Sequence, residues 1–305
     1  MKVGVAELIK NIKEKLIPVC KQEHEAEQQA WWLLEELTKE DDVHLILDKQ
    51  ITLSDKQEEK LNEWIKQRTV DKKPIQYILG YVLFCNLKIL VHKPVLIPRP
   101  ETEEWCFWLI EKLKDVKKEK LNILDLGTGS GCIALSLAKA LPNAIVIGAD
   151  INLRAIELSE KNKELNKIEN AFFIQSDFYK DLKKEFISKK IDIEKFDLIV
   201  SNPPYISQSE WDGLSDTIKL WEDKNALVAN DDGLLAFKQI VLGAQDYLKS
   251  NSKFNKLQIP QLVLEIGKGQ ENAVKRIMQQ AKFEKIGVFP DINGINRWVA
   301  AIPAF

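Results

Sequence analysis

A glycine-rich turn between a buried strand and a helix is the feature that most constrains the fold. Residues 121–126 are mostly apolar, residues 127–131 read Gly-Thr-Gly-Ser-Gly, and residues 132–140 have helical character. Glycines at such a turn let the backbone approach a ligand closely, and the N-terminus of the helix faces that ligand. The next apolar run, 144–149, ends in Asp150, about 20 residues past the glycines, where a carboxylate can accept ribose hydroxyls. The pattern predicts a site for a ribose-bearing ligand at the carboxyl edge of a sheet.

The spacing of these glycines distinguishes two classes of ligand. Dinucleotide-binding turns have the pattern Gly-x-Gly-x-x-Gly. This turn instead has Gly127, Gly129 and Gly131, with Asp125 shortly before them. The pattern Asp-x-Gly-x-Gly-x-Gly resembles motif I of the class I S-adenosylmethionine-dependent methyltransferases, in which no pyrophosphate has to be held.

A second apolar strand, residues 196–200, runs into a stiff turn with the sequence Ser-Asn-Pro-Pro-Tyr. Neither Pro203 nor Pro204 offers an N–H group, so the strand cannot continue its ladder, and the residue before a proline is held extended. We therefore expect Asn202 at the carboxyl end of a central strand with its amide directed outward. Ligands of open α/β sheets bind at that edge. Taken alone, the turn also fits a simple end to the strand.

Two further segments carry candidate site residues. Asp177 follows a third apolar run, where its carboxylate would either accept from an adenine amino group or cap the next helix. Prolines on both sides of Arg99 make a rigid loop, and Thr102 is expected to cap a helix over residues 103–113. This loop is either a plain turn or a support that places Arg99 and Glu101 at the site.

The order of these segments predicts the fold. Residues 1–73 have helical spacing and no strand signal, residues 74–95 resemble a linking β-hairpin, and residues 96–305 alternate strands with helices before a terminal antiparallel hairpin. We predict an α/β fold with a doubly wound, mostly parallel, seven-stranded sheet, Rossmann-like, whose last strand is antiparallel. The small N-terminal helical bundle is either a structural cap or a partner-recognition domain. The polar segment that ends near residue 232 is expected to be a flexible wall of the cleft.

Composition excludes several classes of protein. The net charge of −2 and the pI near 6.1 give no chain-wide attraction for nucleic acid. The four cysteines and three histidines are dispersed, which argues against a disulfide framework and against a metal site. No apolar run approaches the roughly 20 residues that span a membrane, and charge appears too early for a signal peptide. We expect a soluble, cytoplasmic protein that uses no metal.

The motifs together resemble those of the bacterial peptide chain release factor N(5)-glutamine methyltransferases. The resemblance runs from about residue 74 to the C-terminus, and the N-terminal bundle fits that family in size and kind. The methyltransferase core and Asn-Pro-Pro-Tyr are shared with enzymes that methylate exocyclic base amines, so the two proline-containing segments before residue 104 carry the narrower assignment. The motifs lie at residues 74–80, 96–103, 125–131, 201–206, 226–229 and 264–267.

The resemblance implies transfer of a methyl group from S-adenosyl-L-methionine to the glutamine side chain of the Gly-Gly-Gln loop of release factors 1 and 2, leaving S-adenosyl-L-homocysteine. The oxygen of the Asn202 side chain and the carbonyl of Pro203 would accept the two amide N–H groups of that glutamine, while Tyr205 packs on the amide or plugs the turn. Catalytic residues are then Asn202, Pro203 and Tyr205; cofactor-binding residues Gly127, Thr128, Gly129, Gly131, Asp150, Asp177, Asn202 and Arg99; and substrate-binding residues Asn202, Pro203, Pro204, Tyr205 and Glu101. We expect a monomer.

Two alternatives stay open at this stage. The first is a methyltransferase for an exocyclic amine of RNA or DNA, which the acidic balance disfavours; the second is a degenerate fold that only docks partners, which the intact glycines, Asp150 and Asn202 disfavour. One departure from the family pattern is Trp-Glu-Asp-Lys at residues 221–224, where the family has an aromatic residue, Glu and Pro. We expect this departure to change the wall of the cleft but not to touch the site residues.

Overall fold

The chain folds into two compact units in a computed structural model that describes residues 2–250 and 252–304. The first, which we call the N-terminal unit, comprises the residues up to Tyr81 together with Ser215–Trp221. The second, which we call the sheet unit, comprises Val82–Leu214 and the chain from Glu222 onward. None of the described helices is both long enough and apolar enough to cross a bilayer.

Helices make up most of the N-terminal unit, and their apolar faces enclose one core. Ser54 and Gln57 form a capping box at the start of the fourth helix. The elements are β1 (Lys2–Gly4), α1 (Val5–Leu16), a 3₁₀ turn (Ile17–Val19), α2 (Glu23–Thr38), α3 (Asp42–Asp48), β2 (Gln50–Thr52), α4 (Asp55–Thr69) and α5 (Ile75–Leu79).

The prediction that this part has no strands was wrong. The two strands β1 and β2 pair antiparallel, with Val3 opposite Ile51. Each has three residues, too few to give the alternation of apolar and polar residues by which a strand is read from sequence. The predicted hairpin over residues 74–95 is also shorter than expected, because α5 occupies its first part and ends at Gly80, whose φ is +85°. The hairpin itself consists of β3 (Tyr81–Phe84) and β4 (Leu87–Leu90).

Seven strands form the mostly parallel sheet of the sheet unit, as predicted. They are β5 (Asn122–Leu126), β6 (Ile145–Asp150), β7 (Ala171–Gln175), β8 (Leu198–Ser201), β9 (Leu262–Glu265), β10 (Phe283–Pro290) and β11 (Asn296–Pro303). Their spatial order is β10-β11-β9-β8-β5-β6-β7, and β11 runs antiparallel to both of its neighbours. The apolar runs that predicted β5 and β8 are buried almost throughout.

The remaining helices connect these strands. They are α6 (Pro100–Leu113), α7 (Cys132–Ala140), α8 (Leu153–Leu165), α9 (Leu182–Lys189), α10 (Gln208–Gly213), α11 (Asp216–Trp221), α12 (Lys224–Leu227), α13 (Leu235–Tyr247), α14 (Ser252–Leu257) and α15 (Glu271–Gln280), with a 3₁₀ turn at Lys114–Val116. The polar segment predicted as a flexible wall of the cleft contains three short helices, α10 to α12. Their predicted part in a cleft is met only by residues after Trp221, which are described below.

The strand order places two predicted motifs side by side. Chain order reverses between β5 and β8, which are adjacent and parallel, with Leu126 opposite Ser201. The glycine turn follows β5 directly, and the Asn202 turn follows β8 directly. A reversal of this kind opens a crevice at the carboxyl edge of a parallel sheet. The fold therefore brings together the ends of two strands that lie about 75 residues apart in sequence.

Candidate active site

A cavity of about 410 Å³ lies at the carboxyl ends of β5, β6, β7 and β8. Its walls combine apolar side chains with a few polar groups, as is typical of a small-molecule site. A much smaller cavity, of about 20 Å³, adjoins the Asn202 turn, and Asn202 lines both. Seven of the predicted site residues line the large cavity: Gly127, Thr128, Gly129, Asp150, Asp177, Asn202 and Pro204. Five line the small one: Arg99, Asn202, Pro203, Pro204 and Tyr205.

The glycine turn is held by the carboxylate of Asp150. Gly127 and Gly129 have φ values of +71° and +57°, which other residues adopt only with strain. The Asp150 carboxylate accepts the N–H of Gly129 at 2.9 Å and the N–H of Asn152 at 2.8 Å. Burial raises the pKa of Asp150, which these backbone donors oppose. Each carboxylate oxygen keeps a lone pair for a further donor, so Asp150 can fix the turn and still accept hydroxyl groups from a ligand.

The aspartate of the glycine motif supports the turn from beneath. Asp125 is fully buried, and its Oδ2 accepts the hydroxyl of Thr128 at 2.6 Å. Burial raises the pKa of Asp125 to about 7, while the bond from Thr128 acts in the opposite direction. The hydroxyl proton of Thr128 is thus committed to Asp125, so the side chain of Thr128 can only accept a hydrogen bond from a ligand.

Gly131 lies outside the lining of both cavities. It is the N-cap residue of α7 with a φ of +80°, and a Cβ there would lie 3.0 Å from the side chains of Phe173 and Ser159. The absence of a side chain at this position therefore allows close packing between α7, α8 and β7. Asp177 lines the large cavity, and the N-cap residue of the next helix, α9, is Asp181.

The Asn202 turn is tied to the neighbouring strand and to helix α6. Ser201 donates its hydroxyl to the carbonyl of Leu126 at 2.6 Å, which joins the ends of β8 and β5. The side-chain Nδ2 of Asn202 donates to Oγ1 of Thr102 at 3.2 Å. Thr102 in turn donates to Oε2 of Glu265 at 2.6 Å, and the indole N–H of Trp105 donates to the same oxygen at 2.8 Å.

The expectation that Thr102 caps a helix over residues 103–113 was wrong. Helix α6 begins at Pro100 and its N-cap residue is Arg99, because proline is well suited to the first helical position. Thr102 therefore lies within the first turn, where its hydroxyl points to Glu265 instead of to a free N–H of the helix.

Tyr205 is fixed by its backbone as well as by its ring. Its carbonyl accepts the side-chain N–H of Gln270 at 2.8 Å, and a Cβ at Gly233 would lie only 2.1 Å from that carbonyl oxygen. Gly233 has a φ of +82°, so only glycine combines this backbone conformation with this close approach. The ring packs beside Gly267 and against the core. Burial, together with the nearby charge of Glu265, raises the pKa of the Tyr205 phenol.

Arg99 and Glu101 take part in separate ion pairs. Nη2 of Arg99 lies 2.8 and 2.7 Å from the two carboxylate oxygens of Glu222, whose side chain is only 2% exposed. The expectation that the segment 221–224 does not touch the site residues was therefore wrong, although Glu222 itself matches the family pattern and the residue that departs from it is Asp223. Arg99 borders the small cavity but not the large one. Glu101 lies 3.9 Å from Arg297, and neither cavity includes it in its lining.

Sequence reasoning missed several polar residues of the site. Asp223 lines the large cavity, and its charge adds to the elevation of the Asp150 pKa. Glu265 is fully buried at the end of an apolar strand. A charged residue in such a run is a signal, because buried carboxylates are rare unless they are paired. Asp223 gave no comparable signal, since it lies in a polar segment.

Two protein families match different parts of the chain. The family described as "PrmC N-terminal domain" matches residues 12–80, and the family described as "Methyltransferase small domain" matches residues 107–250. The chain is also similar to the catalytic domain of hMettl16 in complex with a MAT2A 3′UTR hairpin, with a TM-score of 0.50, 14% identity and 84% of each chain covered. At that identity the likeness shows the fold alone.

Two curated relatives are named release factor glutamine methyltransferase. The protein from Fusobacterium nucleatum is 39% identical over 249 residues, which cover 82% of this chain and 65% of that relative. The protein from Lactococcus lactis is 38% identical over 273 residues, which cover 89% of this chain and 91% of that relative. Identity of this level over most of both chains shows that they belong to one family. The chain belongs to the release factor glutamine methyltransferase family.

Proposed function

We propose that this protein transfers a methyl group from S-adenosyl-L-methionine to the side-chain amide nitrogen of the glutamine in the Gly-Gly-Gln motif of peptide chain release factors. The observation that carries the proposal is the position of Asn202. Its amide stands on a rigid turn that borders both the large cavity beside the glycines and the small cavity beside Tyr205. A methyl donor in the first and an amide in the second would meet at Asn202.

The large cavity has the chemistry that this cofactor requires. Asp150 offers free lone pairs for ribose hydroxyls, and Asp177 offers a carboxylate for an amino group of adenine. With Asp223 the lining holds three acidic side chains, which suits a ligand that carries positive charge. When bound, the cofactor supplies a methyl group on a sulfonium that is already activated. We assign cofactor contacts to Gly127, Thr128, Gly129, Asp150, Asp177 and Asn202, while Gly131 supports the turn and Arg99 acts from the acceptor side.

The chain's own task is to orient a weak nucleophile. The lone pair of an amide nitrogen is delocalised into its carbonyl, so the nitrogen needs help to attack. We propose that Oδ1 of Asn202 and the carbonyl of Pro203 accept its two N–H groups, which aligns the nitrogen and raises its electron density. Proline suits this position because its fixed φ sets the direction of the carbonyl. Correct alignment supplies several kcal/mol of the barrier reduction, about 7 at best. The reaction needs no metal, and the proton leaves the nitrogen after transfer.

In this proposal, the residues that contact the acceptor glutamine line the small cavity. Pro204 and Tyr205 border the substrate amide, and Arg99, held by Glu222, lines one side of that cavity. Glu101, which is paired with Arg297, is assigned to contact the release factor at the rim. We assign recognition of release factors to the N-terminal unit. The protein would act as a monomer in the cytoplasm, where release factors 1 and 2 are its substrates.

One transfer assay tests the proposal against its main competitor. The enzyme is incubated with cofactor labelled in the methyl group and with one of four acceptors: a release factor, the same factor with the Gly-Gly-Gln glutamine replaced by alanine, tRNA, or DNA. Label on the unmodified release factor alone is the expected result. Label on tRNA or DNA instead would assign the site to exocyclic base amines, and label on the alanine variant would show that another residue accepts the methyl group.

A further inference from the structure

We propose that Thr102 and Glu265 act as positioning residues that hold the Asn202 amide with its carbonyl oxygen directed at the acceptor. The proposal rests on the proposed function, because it explains how Asn202 is prepared for that reaction. The three side chains form a chain of hydrogen bonds. Thr102 of α6 donates to the carboxylate of Glu265 and accepts from the amide of Asn202, which borders the cavities. None of these links is local, since the two hydrogen bonds join residues 163 and 100 positions apart.

The orientation of the amide follows from the count of protons. Thr102 has one hydroxyl proton, and it donates that proton to Oε2 of Glu265 across 2.6 Å. The oxygen of Thr102 then has only lone pairs left for Asn202, so it accepts from the NH₂ group and repels the carbonyl oxygen. Because the amide is planar, Oδ1 is placed at the opposite edge. A carboxylate behind Thr102 therefore selects one of the two orientations of the Asn202 side chain.

The surroundings of Glu265 strengthen this selection. Thr102 and Trp105 are 2% and 0% exposed, and Glu265 is 0% exposed, so water does not compete for their hydrogen bonds. The indole N–H of Trp105 also donates to Oε2 and helps to hold the carboxyl group in place. Trp105 holds the carboxylate but makes no bond to Asn202, so it offers a matched control within the same cluster.

The selected orientation bears directly on the reaction. The acceptor nitrogen presents N–H groups, which can donate only to an oxygen. If the Asn202 amide were reversed, its own NH₂ would face those N–H groups and the acceptor would not be aligned. Loss of the selection should therefore lower the turnover number, while the binding of cofactor, which depends on the glycine turn and Asp150, should change little.

The test compares Thr102→Val, Thr102→Ser and Trp105→Phe in the transfer assay on a release factor. Valine matches threonine in shape but removes the hydroxyl, so kcat should fall on the order of tenfold to a hundredfold, with KM for both substrates within a few-fold. Serine keeps the hydroxyl and should restore most of the lost rate. Phenylalanine at position 105 removes the other bond to Glu265, and it should lower the melting temperature as much as valine does while kcat stays within about threefold.

Several results would overturn the proposal. One is a Thr102→Val enzyme that keeps full kcat, and another is a Thr102→Ser enzyme that loses as much as the valine variant. A third is a loss of kcat in Trp105→Phe equal to that in Thr102→Val, which would assign the whole cluster to stability alone. If the unsubstituted enzyme itself does not label the release factor, the proposed function fails instead, so the two failures are distinguishable.

Discussion

Two parts of the site are built in different ways: the proposed cofactor half, around the glycine turn, and the proposed acceptor half, around the Asn202 turn. In the cofactor half, Asp150 holds Gly129 from 21 positions away, and Asp125 holds Thr128 from three positions away. In the acceptor half, Asn202 depends on Thr102 from 100 positions away, and Arg99 depends on Glu222 from 123 positions away. Both halves lie at the same sheet edge, but the first is a local strand–turn–helix structure and the second is assembled from distant segments.

We expect this difference to separate effects on cofactor binding from effects on the turnover number. The cofactor half presents backbone groups and carboxylates whose positions follow from the turn itself. The acceptor half presents one side-chain amide whose orientation depends on partners in other elements. Substitutions in the first half should therefore change affinity for the cofactor, and substitutions in the second half should change rate or stability. The following predictions test that separation.

The largest effect is expected for Asn202→Ala. Removal of the acceptor for an amide N–H should lower kcat on the order of a thousandfold, which corresponds to about 4 kcal/mol. Cofactor affinity, measured by titration calorimetry, should stay within a few-fold. A fall in cofactor affinity as large as the fall in rate would contradict the separation, because it would make cofactor binding, and not alignment of the acceptor, the main role of Asn202.

A large loss of stability is expected for Glu222→Ala. The variant leaves the guanidinium of Arg99 without its partner in a mostly buried position, where the side chains are 28% and 2% exposed. Breaking such a pair should cost about 3 kcal/mol in the free energy of unfolding. The control is Glu119→Ala, which removes one partner of the exposed pair with Lys253 in the same unit and should change stability little. Equal losses in the two variants would show that the Arg99 pair behaves as a surface pair.

The pH dependence of stability should reveal the buried carboxyl of Glu265. Burial raises its pKa to about 7, with Thr102 and Trp105 opposing; Glu101 and Arg297 contribute in opposite directions. Because the folded-state pKa lies above that of the unfolded chain, its stabilisation is fully present below about pH 4.5 and is lost as pH rises through about 7. This loss is on the order of 3 kcal/mol.

The measurement compares thermal unfolding of the unsubstituted protein and Glu265→Gln at about pH 5 and about pH 8. The unsubstituted protein should lose more stability over this interval than the variant, whose amide does not titrate. Asp125 contributes a loss of the same sign to both proteins, since its pKa is also raised to about 7. Identical pH profiles would show that Glu265 does not titrate in this range.

The smallest effect is expected for Asp150→Ala. The variant removes acceptors for the ribose hydroxyls, and cofactor affinity should weaken on the order of tenfold. The N–H of Gly129 also loses its partner, so part of this loss reflects a looser turn. At saturating cofactor the turnover number should recover to within a few-fold of the unsubstituted value. An unchanged affinity would remove Asp150 from the cofactor half, and an unrecovered rate would place it in both halves.

The cofactor half was largely predictable because its signals are contiguous in the chain. The apolar runs that became β5, β6 and β7 are followed at once by the polar residues that line the cavity. A strand end and the side chain after it share one position on the sheet edge, so the pattern of residues translates directly into geometry. The role of Gly131 was harder to predict. The side chains that leave no room for a Cβ at this position, those of Phe173 and Ser159, lie in other elements.

The acceptor half was predictable only in its central turn. The prolines after Asn202 identified a rigid strand end, but the helix that contacts it was expected to begin three residues too late, which assigned the Thr102 hydroxyl to the wrong partner. Glu222 and Asp223 lie in a polar segment with no periodicity, and their contacts with Arg99 and the cavity depend on how that segment returns to the sheet. The pairing of β1 with β2 was missed for a related reason, because each short strand can be recognised only from its pairing with the other.

By itself, the sequence determined the class of sheet, the glycine turn with its carboxylates and the stiff turn that presents Asn202, because each depends on residues that are neighbours in the chain. Only the tertiary structure decided which end of the Asn202 amide faces the cavity. That choice depends on where the single proton of Thr102 goes, and its acceptor, Glu265, is brought within 2.6 Å by the pairing of β9 with β8 and the packing of α6. Hydrogen-bond direction is a property of atoms in contact, and contacts between distant segments exist only in the folded chain.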